Sequence, residues 1–257
     1  MVKLIASDID GTLLQGEETE VSAKTFDNIR RLAAKNIAFC AASGRQYTSL
    51  RRLFAPVADD IYYICENGAM VYTRGEKHII CKTPMPRPLA LKLIDEICKN
   101  PECEVLISGD DMSYLIPKTD EIVYLMSNFT GNNVTVVKNA DEVACDIVKI
   151  SAYVKNQSPA ALEAAMGECW RKAGFNVAVA GEDWLDFTLA DKGTGLDGLC
   201  KALKIGKENV MAFGDNYNDI PLLTAAGMPY IMQNAAPDLR LKFANSCADV
   251  NEILDKL

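Results

Sequence analysis

Two aspartates that follow the first apolar segment are the residues best placed to do chemistry in this sequence. Asp8 and Asp10 lie in Asp8-Ile-Asp10-Gly-Thr, directly after the mainly apolar segment 2–7. In an extended chain, residues i and i+2 point to the same side, so both carboxyl groups face one point. Mg²⁺, a hard cation with oxygen ligands, would relieve their repulsion, and so would protonation of one carboxyl. Helix caps and turns use the same residue types, so further residues must decide between these interpretations.

Polar side chains also follow two later apolar segments. The segment 37–42 ends at Ser43-Gly44-Arg45, and the segment 210–213 ends at Gly214-Asp215. The carboxyl ends of parallel strands lie at one edge of an α/β sheet, where ligands bind. Ser43 and the adjacent Gly44 amide can donate hydrogen bonds to an anion there, and Asp215 supplies a third oxygen donor for a metal ion. The three segment ends together favour a site for a metal ion and an anion.

Three further residues complete the candidate set. Lys192, in Asp191-Lys192-Gly193, supplies the positive charge that a carboxylate nucleophile needs beside an anionic phosphoryl group. Asn218 and Asp219 follow Asp215 within one short loop and could orient metal-bound water.

The elements that must position these residues form an interrupted α/β pattern. Apolar, β-branched segments alternate with helical patterns at both ends of the chain, which predicts a Rossmann-like parallel sheet wrapped by helices. The proline-rich segment Pro84-Met-Pro86-Arg-Pro88 interrupts the pattern, and the residues after it have an α+β order. The sequence therefore predicts a core of residues 1–83 and 186–257 and an inserted α+β domain of residues 84–185.

Composition excludes several classes of partner. The 257 residues include 27 Lys and Arg against 35 Asp and Glu, a formal charge of −8, with no basic run for nucleic acid. No segment reaches membrane-spanning length, and the N-terminus lacks the pattern of a signal peptide, so we expect no membrane partner and a cytoplasmic protein. The nine cysteines are scattered without a Cys-x-x-Cys pair, which favours reduced thiols over zinc or disulfides.

Five ordered motifs resemble those of the haloacid dehalogenase superfamily of phosphatases, and more closely those of its Cof-type branch, subclass IIB. They are Asp8-x-Asp10-Gly-Thr, Ser43-Gly-Arg, Asn67-Gly-Ala, Lys192-Gly and Gly214-Asp215-x-x-Asn218-Asp219. The size and position of the insertion are similar to the C2-type cap domain of that branch. The resemblance weakens near the C-terminus, where Gln233 stands in place of the usual glycine before Asn234-Ala235 and residues 251–254 replace the usual Asp-Gly-Val.

The resemblance implies a magnesium-dependent phosphatase. Asp8 would form an aspartyl-phosphate, and Asp10 would protonate the leaving group and then activate water. Mg²⁺ would be held by Asp8, the Asp10 backbone carbonyl and Asp215, with Asp219 behind these ligands. The phosphoryl group would be bound by Ser43, Gly44, Lys192 and Asn218. The substrate would be a small phosphorylated metabolite, with sugar phosphates as the first choice and the cap selecting among them.

Other functions stay open at this point. A phosphomutase would share the first chemical steps and pass the phosphoryl group to another hydroxyl. A dinucleotide-binding protein would use Gly193-Thr-Gly195-Leu-Asp-Gly198, a Gly-x-Gly-x-x-Gly pattern followed by Asp215. A binding module without activity is a further alternative. A serine hydrolase is excluded because His78 is the single histidine and Gly-x-Ser-x-Gly is absent. Substrate identity and oligomeric state are open.

Overall fold

The structure, a computed structural model, describes residues 1–155 and 157–257 and contains two units. One unit consists of Met1–Cys81 and Asp191–Leu257, and the other of Lys82–Ala190. Each unit has its own β-sheet and its own apolar core. The predicted fold class, an α/β core with a parallel sheet and an inserted α+β unit, is confirmed.

The N-terminal segment alternates strands and helices. Its elements are β1 (Leu4–Ser7), α1 (Ala23–Ala34), β2 (Ala38–Ala42), α2 (Tyr47–Leu53), β3 (Tyr62–Cys65), β4 (Met70–Tyr72) and β5 (Ile79–Lys82). The Ser22 hydroxyl accepts a hydrogen bond from the Thr25 amide at the start of α1, which satisfies one of the free N–H groups of the first turn. Ile29 and Leu32 then fall on one buried face of α1, as helical spacing requires.

In the part of it that the structure describes, the second unit contains six strands and four helices. Its elements are α3 (Arg87–Lys99), β6 (Cys103–Gly109), β7 (Met112–Ile116), α4 (Asp120–Tyr124), β8 (Val134–Val136), β9 (Lys149–Val154), α5 (Pro159–Leu162), α6 (Glu168–Lys172), β10 (Asn176–Ala180) and β11 (Trp184–Thr188). A π-helical turn, Leu125–Phe129, follows α4, and another, Glu163–Gly167, joins α5 to α6. The sequence predicted one continuous helix over 159–172. The predicted domain boundary at 185 falls inside β11, which lies wholly in this unit.

The C-terminal segment returns to the first unit. Its elements are α7 (Lys192–Leu203), β12 (Val210–Gly214), α8 (Ile220–Ala225), β13 (Met228–Met232), α9 (Pro237–Arg240), β14 (Ser246–Cys247) and α10 (Val250–Leu254). Short 3₁₀ turns occur in both units, at Ala55–Val57, Ala140–Glu142, Lys207–Asn209 and Tyr217–Asp219, and residues Glu66–Gly68 form a left-handed turn. Helix α9 ends at Arg240, four residues before the predicted end of this helix.

The two sheets differ in strand direction. The first has the order β14-β13-β12-β1-β2-β3-β4-β5, and its strands from β14 to β3 are parallel. The second has the order β10-β11-β9-β6-β7-β8, and its pairs are antiparallel apart from β7 with β8. Strand β1 is buried along its whole length, as expected for a central strand covered on both faces.

The core of the first unit joins its sheet to the helices that follow Lys192. Leu4 and Ala6 of β1 lie in one apolar cluster with Leu196 and Leu199 of α7 and with residues of α8. Burial of such side chains contributes roughly 25 cal/mol per Å² of apolar surface. This packing brings the start of α7, almost two hundred residues along the chain, next to the end of β1.

Candidate active site

The order of the central strands gathers the predicted residues at one sheet edge. Strands β12, β1 and β2 are neighbours and run in the same direction, with Ser7 of β1 paired to Phe213 on one side and Ala41 on the other. Asp8, Ser43 and Asp215 therefore leave the sheet at adjacent carboxyl ends. Tertiary structure thus produces the juxtaposition that the motifs predicted.

Lys192 lies between two carboxylates. Its Nζ donates hydrogen bonds to Asp8 Oδ1 at 2.5 Å and to Asp219 Oδ1 at 2.6 Å. The Lys192 side chain is only 1% exposed, and Asp219 is fully buried. We call Asp8, Lys192 and Asp219 the buried triad. Removal of one partner of such a buried ion pair strongly destabilises the fold, because the other charge stays buried without compensation.

Asp219 has a positioning role in addition to its ion pair. Its Oδ2 accepts hydrogen bonds from the backbone amides of Asp215 and Asn216, both at 3.0 Å. Gly214 permits this approach, since a Cβ there would lie 2.5 Å from Asp219 Cβ. Both oxygens of Asp219 are therefore engaged, one by Lys192 and one by the loop that carries Asp215.

Burial and neighbouring negative charge together raise the pKa values of the carboxyl groups in the site. Burial raises the pKa of Asp8 well above its ordinary value, the Asp219 charge raises it further, and Lys192 lowers it. Burial and Asp219 also raise the pKa of Asp215, against a hydrogen bond from Thr12. Burial favours neutral Lys192, but the charges of Asp219 and Asp8 outweigh it and raise the lysine pKa. One ammonium does not balance three carboxylates.

The side chain of Asp215 lies against the turn that follows Asp10. Thr12 Oγ1 donates a hydrogen bond to Asp215 Oδ1 at 2.9 Å. Gly11 has a φ of +88°, and a Cβ on it would lie 2.2 Å from Asp215 Oδ2. Glycine is needed here both for the left-handed backbone and for the space that Asp215 occupies. Asn234 Nδ2 also donates to the Gly11 carbonyl at 2.7 Å, a role that the sequence did not indicate.

The donor set suits a hard divalent cation. Asp8, Asp215 and Asp219 each offer a carboxylate oxygen, and these oxygens lie within 4.8 Å of one another. Because Asp219 already accepts hydrogen bonds on both oxygens, Asp8 and Asp215 are the carboxylates available to hold the ion. All-oxygen donors and excess negative charge fit Mg²⁺. The Asp10 backbone carbonyl stays a predicted third donor.

The side chain of Asp10 has a different environment from that of Asp8. Arg45 Nε donates to Asp10 Oδ2 at 2.9 Å, and Arg45 Nη2 donates to Asp10 Oδ1 at 2.5 Å. The Asp10 side chain is 55% exposed. Arg45 belongs to the Ser43-Gly-Arg motif, but the motif alone predicted no role for its side chain. The position of Arg45, two residues after Ser43, was the sequence feature that could have indicated that its side chain lies in the site.

Ser43 and Gly44 lie in a loop that is fixed by backbone hydrogen bonds. Ser43 is buried, its amide donates to the Ile64 carbonyl at 2.9 Å, and its Oγ accepts from the Arg45 amide at 3.2 Å. Ser43 and Gly44 precede α2, which begins at Tyr47 with Gln46 as its N-cap residue.

The segment Glu66-Asn67-Gly68 is hydrogen-bonded to this loop. All three residues have positive φ, of 51°, 54° and 95°. The Glu66 amide donates to the Arg45 carbonyl and the Asn67 amide to the Ser43 carbonyl, and a Cβ on Gly68 would lie 1.9 Å from the Asp191 carbonyl oxygen. Such left-handed residues are costly and cluster at functional sites. The Asn67-Gly-Ala motif therefore connects the Ser43 loop to the start of α7.

Asn218 lies half-buried in the turn Tyr217–Asp219, beside the triad. The geometry brings Asp8, Ser43, Lys192, Asp215 and Asp219 to one region of the first unit, and Asn218 belongs to the same loop as Asp215. The phosphate-binding roles of Ser43, Gly44, Lys192 and Asn218 stay predictions.

The glycine-rich motif lacks the geometry of a dinucleotide site. Gly193 to Gly198 lie inside α7, which begins at Lys192. The preceding strand, β11, belongs to the other sheet, where it is antiparallel to both of its neighbours. A dinucleotide fingerprint instead connects a strand and a helix of one parallel βαβ unit. Gly193 and Gly195 serve close packing, since a Cβ on either would meet Pro221 or Ile64.

Comparison with known proteins agrees with this arrangement. A family model described as haloacid dehalogenase-like hydrolase matches residues 5–253. The chain belongs to the haloacid dehalogenase-like hydrolase family. The predictions of this family and of a hydrolytic enzyme are thereby confirmed.

Relatives of known sequence or structure cover nearly the whole chain. The 5-amino-6-(5-phospho-D-ribitylamino)uracil phosphatase YbjI of Escherichia coli is 26% identical over 91% of this chain and 86% of its own. A solved structure from Eubacterium rectale is 28% identical, with a TM-score of 0.86, and covers 99% of this chain and 98% of that one. The subclass IIB sugar phosphatase BT4131 of the same superfamily shares the fold, with a TM-score of 0.80 at 19% identity over 99% and 98% of the two chains.

The first of these relatives is named as a phosphatase, as the sequence analysis expected for this chain. Within residues 1–155 and 157–257, no helix is both long and apolar enough to cross a membrane.

Proposed function

We propose that this hydrolase is a magnesium-dependent phosphatase that cleaves small phosphomonoesters through an aspartyl-phosphate at Asp8. The observation that carries the proposal is the buried triad at the end of β1, where Lys192 Nζ contacts Asp8 Oδ1 at 2.5 Å with Asp215 alongside. A carboxylate nucleophile that attacks an anionic phosphoryl group needs a fixed positive charge next to it. Lys192 has that position.

Asp8 and Asp10 divide the chemistry between them. In the first step an Asp8 oxygen bonds to phosphorus, the bond from phosphorus to the leaving oxygen breaks, and that oxygen takes a proton from the Asp10 carboxyl. In the second step Asp10 takes a proton from water, the water oxygen bonds to phosphorus, and the bond between phosphorus and Asp8 breaks. The Lys192 ammonium favours the ionised form of Asp8 that the attack needs, and the exposure of Asp10 leaves its carboxyl accessible to the leaving oxygen and to water.

Asp8 and Asp215 would hold Mg²⁺, with the Asp10 carbonyl as a third donor. When bound, the ion would neutralise the excess charge and keep Asp8 ionised. Ser43, with the Gly44 amide, and Lys192 would bind the phosphoryl oxygens. Asn218 would approach the same group from the Asp215 loop.

The second unit carries none of these residues, and we assign selection of the leaving group to it. It corresponds to the cap domain predicted over 84–185. Sugar phosphates are the first substrate class to test, and the substrate named for YbjI carries a phosphorylated ribityl chain. A small phosphorylated metabolite is therefore the expected partner.

The test is a panel of small phosphate esters assayed for release of inorganic phosphate with Mg²⁺ and with a chelator. The panel contains hexose phosphates, a pentitol phosphate, pyridoxal phosphate, flavin mononucleotide and an aryl phosphate. We expect release that depends on Mg²⁺ and is lost in Asp8→Asn. Absence of release from every ester, or equal release with chelator, would overturn the proposal. Formation of an isomeric sugar phosphate in place of inorganic phosphate would identify a phosphomutase.

A further inference from the structure

The ion pair between Arg45 and Asp10 joins two loops of the site at two points. Arg45 uses Nε and Nη2 to bond both oxygens of the Asp10 carboxylate, at 2.9 and 2.5 Å. Two parallel N–H donors fix the plane of a carboxylate as well as its position, which a single donor cannot do. The pair therefore determines the direction in which the Asp10 carboxyl points.

Arg45 is itself held on the loop of Ser43. Its amide donates to Ser43 Oγ at 3.2 Å, and its carbonyl accepts from the Glu66 amide at 3.2 Å. The backbone of Arg45 is thus fixed on both sides, and only the side chain extends toward Asp10. The position of the Asp10 carboxyl therefore depends, through Arg45, on the position of the Ser43 loop.

Stability does not explain this pair. The side chains of Arg45 and Asp10 are 36% and 55% exposed, and exposed ion pairs contribute little to folding. Without Arg45, the exposed Asp10 carboxyl would lose both hydrogen bonds and could adopt several side-chain rotamers. Proton transfer requires the carboxyl within hydrogen-bond distance of the reacting oxygen. Holding one rotamer therefore matters for chemistry more than for folding.

We propose that Arg45 is a positioning residue that acts through Asp10, which it holds in one orientation for proton transfer to the leaving oxygen. The Asp10 oxygen that carries the transferred proton gives up its contact with Arg45, and the other oxygen keeps its contact and holds the carboxyl in place. This inference rests on the proposed function, because it requires Asp10 to be the general acid. It gives Arg45 a role distinct from that of Lys192, which is bonded to the nucleophile.

A double-mutant cycle tests the inference. Arg45→Ala, Asp10→Asn and the double variant are assayed for kcat/KM on a hexose phosphate and on 4-nitrophenyl phosphate, whose leaving group needs no proton. On the hexose phosphate, we expect Arg45→Ala to lose about tenfold or more, and the loss to disappear in the Asp10→Asn background. On 4-nitrophenyl phosphate the loss should be markedly smaller. Inhibition by inorganic phosphate should be unchanged.

Arg45→Lys, which retains charge but not the two-point contact, should fall between the wild type and Arg45→Ala. Arg30→Ala is the matched control, because it removes an exposed Arg–Asp pair on α1. Thermal unfolding of each variant shows that the fold is retained.

Two outcomes would overturn the inference, and they differ in what else they affect. In the first outcome, Arg45→Ala lowers kcat/KM equally on both esters and by the same factor in the Asp10→Asn background, and inorganic phosphate inhibits the variant more weakly. Arg45 would then be an anion-binding residue, and the proposed phosphatase activity would stand. A wild-type chain that releases no phosphate from any ester would remove the proposed function and this inference together.

Discussion

Asp8 and Asp10 are two residues apart in the sequence, yet their side chains lie in opposite environments. Asp8 is buried and bonded to Lys192, while Asp10 is largely exposed and bonded to Arg45. Burial raises the pKa of Asp8 and makes its charge depend on nearby cations. One short motif can therefore supply two carboxyl groups in different environments, because after the strand ends one side chain lies in the core and the other is exposed to solvent.

The largest expected effect is that of Asp8→Asn. We expect hydrolysis of 4-nitrophenyl phosphate to fall by about a thousandfold or more, because a neutral amide replaces the attacking carboxylate. Asp10→Asn should cost less on this ester than on a hexose phosphate, which needs a proton donor. Steady-state phosphate release measures both. Substantial residual turnover in Asp8→Asn would contradict the assignment of Asp8 as the nucleophile. Asp27→Asn, at an exposed position on α1, serves as the control.

Lys192→Met tests whether the buried ion pairs of Lys192 also stabilise the fold. Removal of the ammonium leaves the charges of Asp8 and Asp219 buried without a compensating cation, so we expect a loss of about 3 kcal/mol or more in the free energy of unfolding, as well as loss of activity. Urea denaturation measures the change. Arg45→Ala, on the exposed side, should change stability by less than about 1 kcal/mol. Similar losses for the two variants would contradict the distinction.

Gly11→Ala tests the packing of Asp215 against the turn after Asp10. We expect a loss of about 1–3 kcal/mol from backbone strain, and Mg²⁺ dependence shifted about tenfold or more to higher concentration, since the new Cβ displaces the Asp215 carboxylate. Gly16→Ala is a matched control, with a φ of +60° and open space around its Cβ. Activity titrated with Mg²⁺ separates the two. An unchanged Mg²⁺ requirement in Gly11→Ala would argue against Asp215 as a ligand.

The smallest expected effect is a pH dependence of stability in the presence of a chelator. The folded-state pKa values of Asp8 and Asp215 are raised, so these groups bind more protons in the folded than in the unfolded chain. Their contribution to stability is present below the ordinary carboxyl pKa and is lost as the pH rises through the folded-state values. Thermal midpoints measured with chelator should show a steeper decline with rising pH for the wild type than for Asp8→Asn. Parallel pH profiles would contradict this expectation.

Local sequence patterns predicted the strands that carry the site. Strands β1, β2 and β12 are short apolar segments with polar residues directly after them, so both the elements and their functional ends are visible in the sequence. Strand β13 was not predicted, since Pro229 interrupts a five-residue segment. The π-helical turn after α5 was not predicted either, because helical spacing of apolar residues does not reveal a local change in hydrogen bonding.

Residue type and spacing were enough to predict that the carboxyl groups of Asp8, Asp10 and Asp215 and the loop of Ser43 would lie at one edge of a parallel sheet. Only the tertiary structure decided which cation each carboxyl contacts: Lys192 is 184 residues from Asp8, and Arg45 is 35 residues from Asp10. It also decided that Asp219 holds Lys192 and the Asp215 loop, so its oxygens are already occupied. The physical reason is that backbone periodicity is local, whereas burial and hydrogen-bond partners depend on which distant segments pack together.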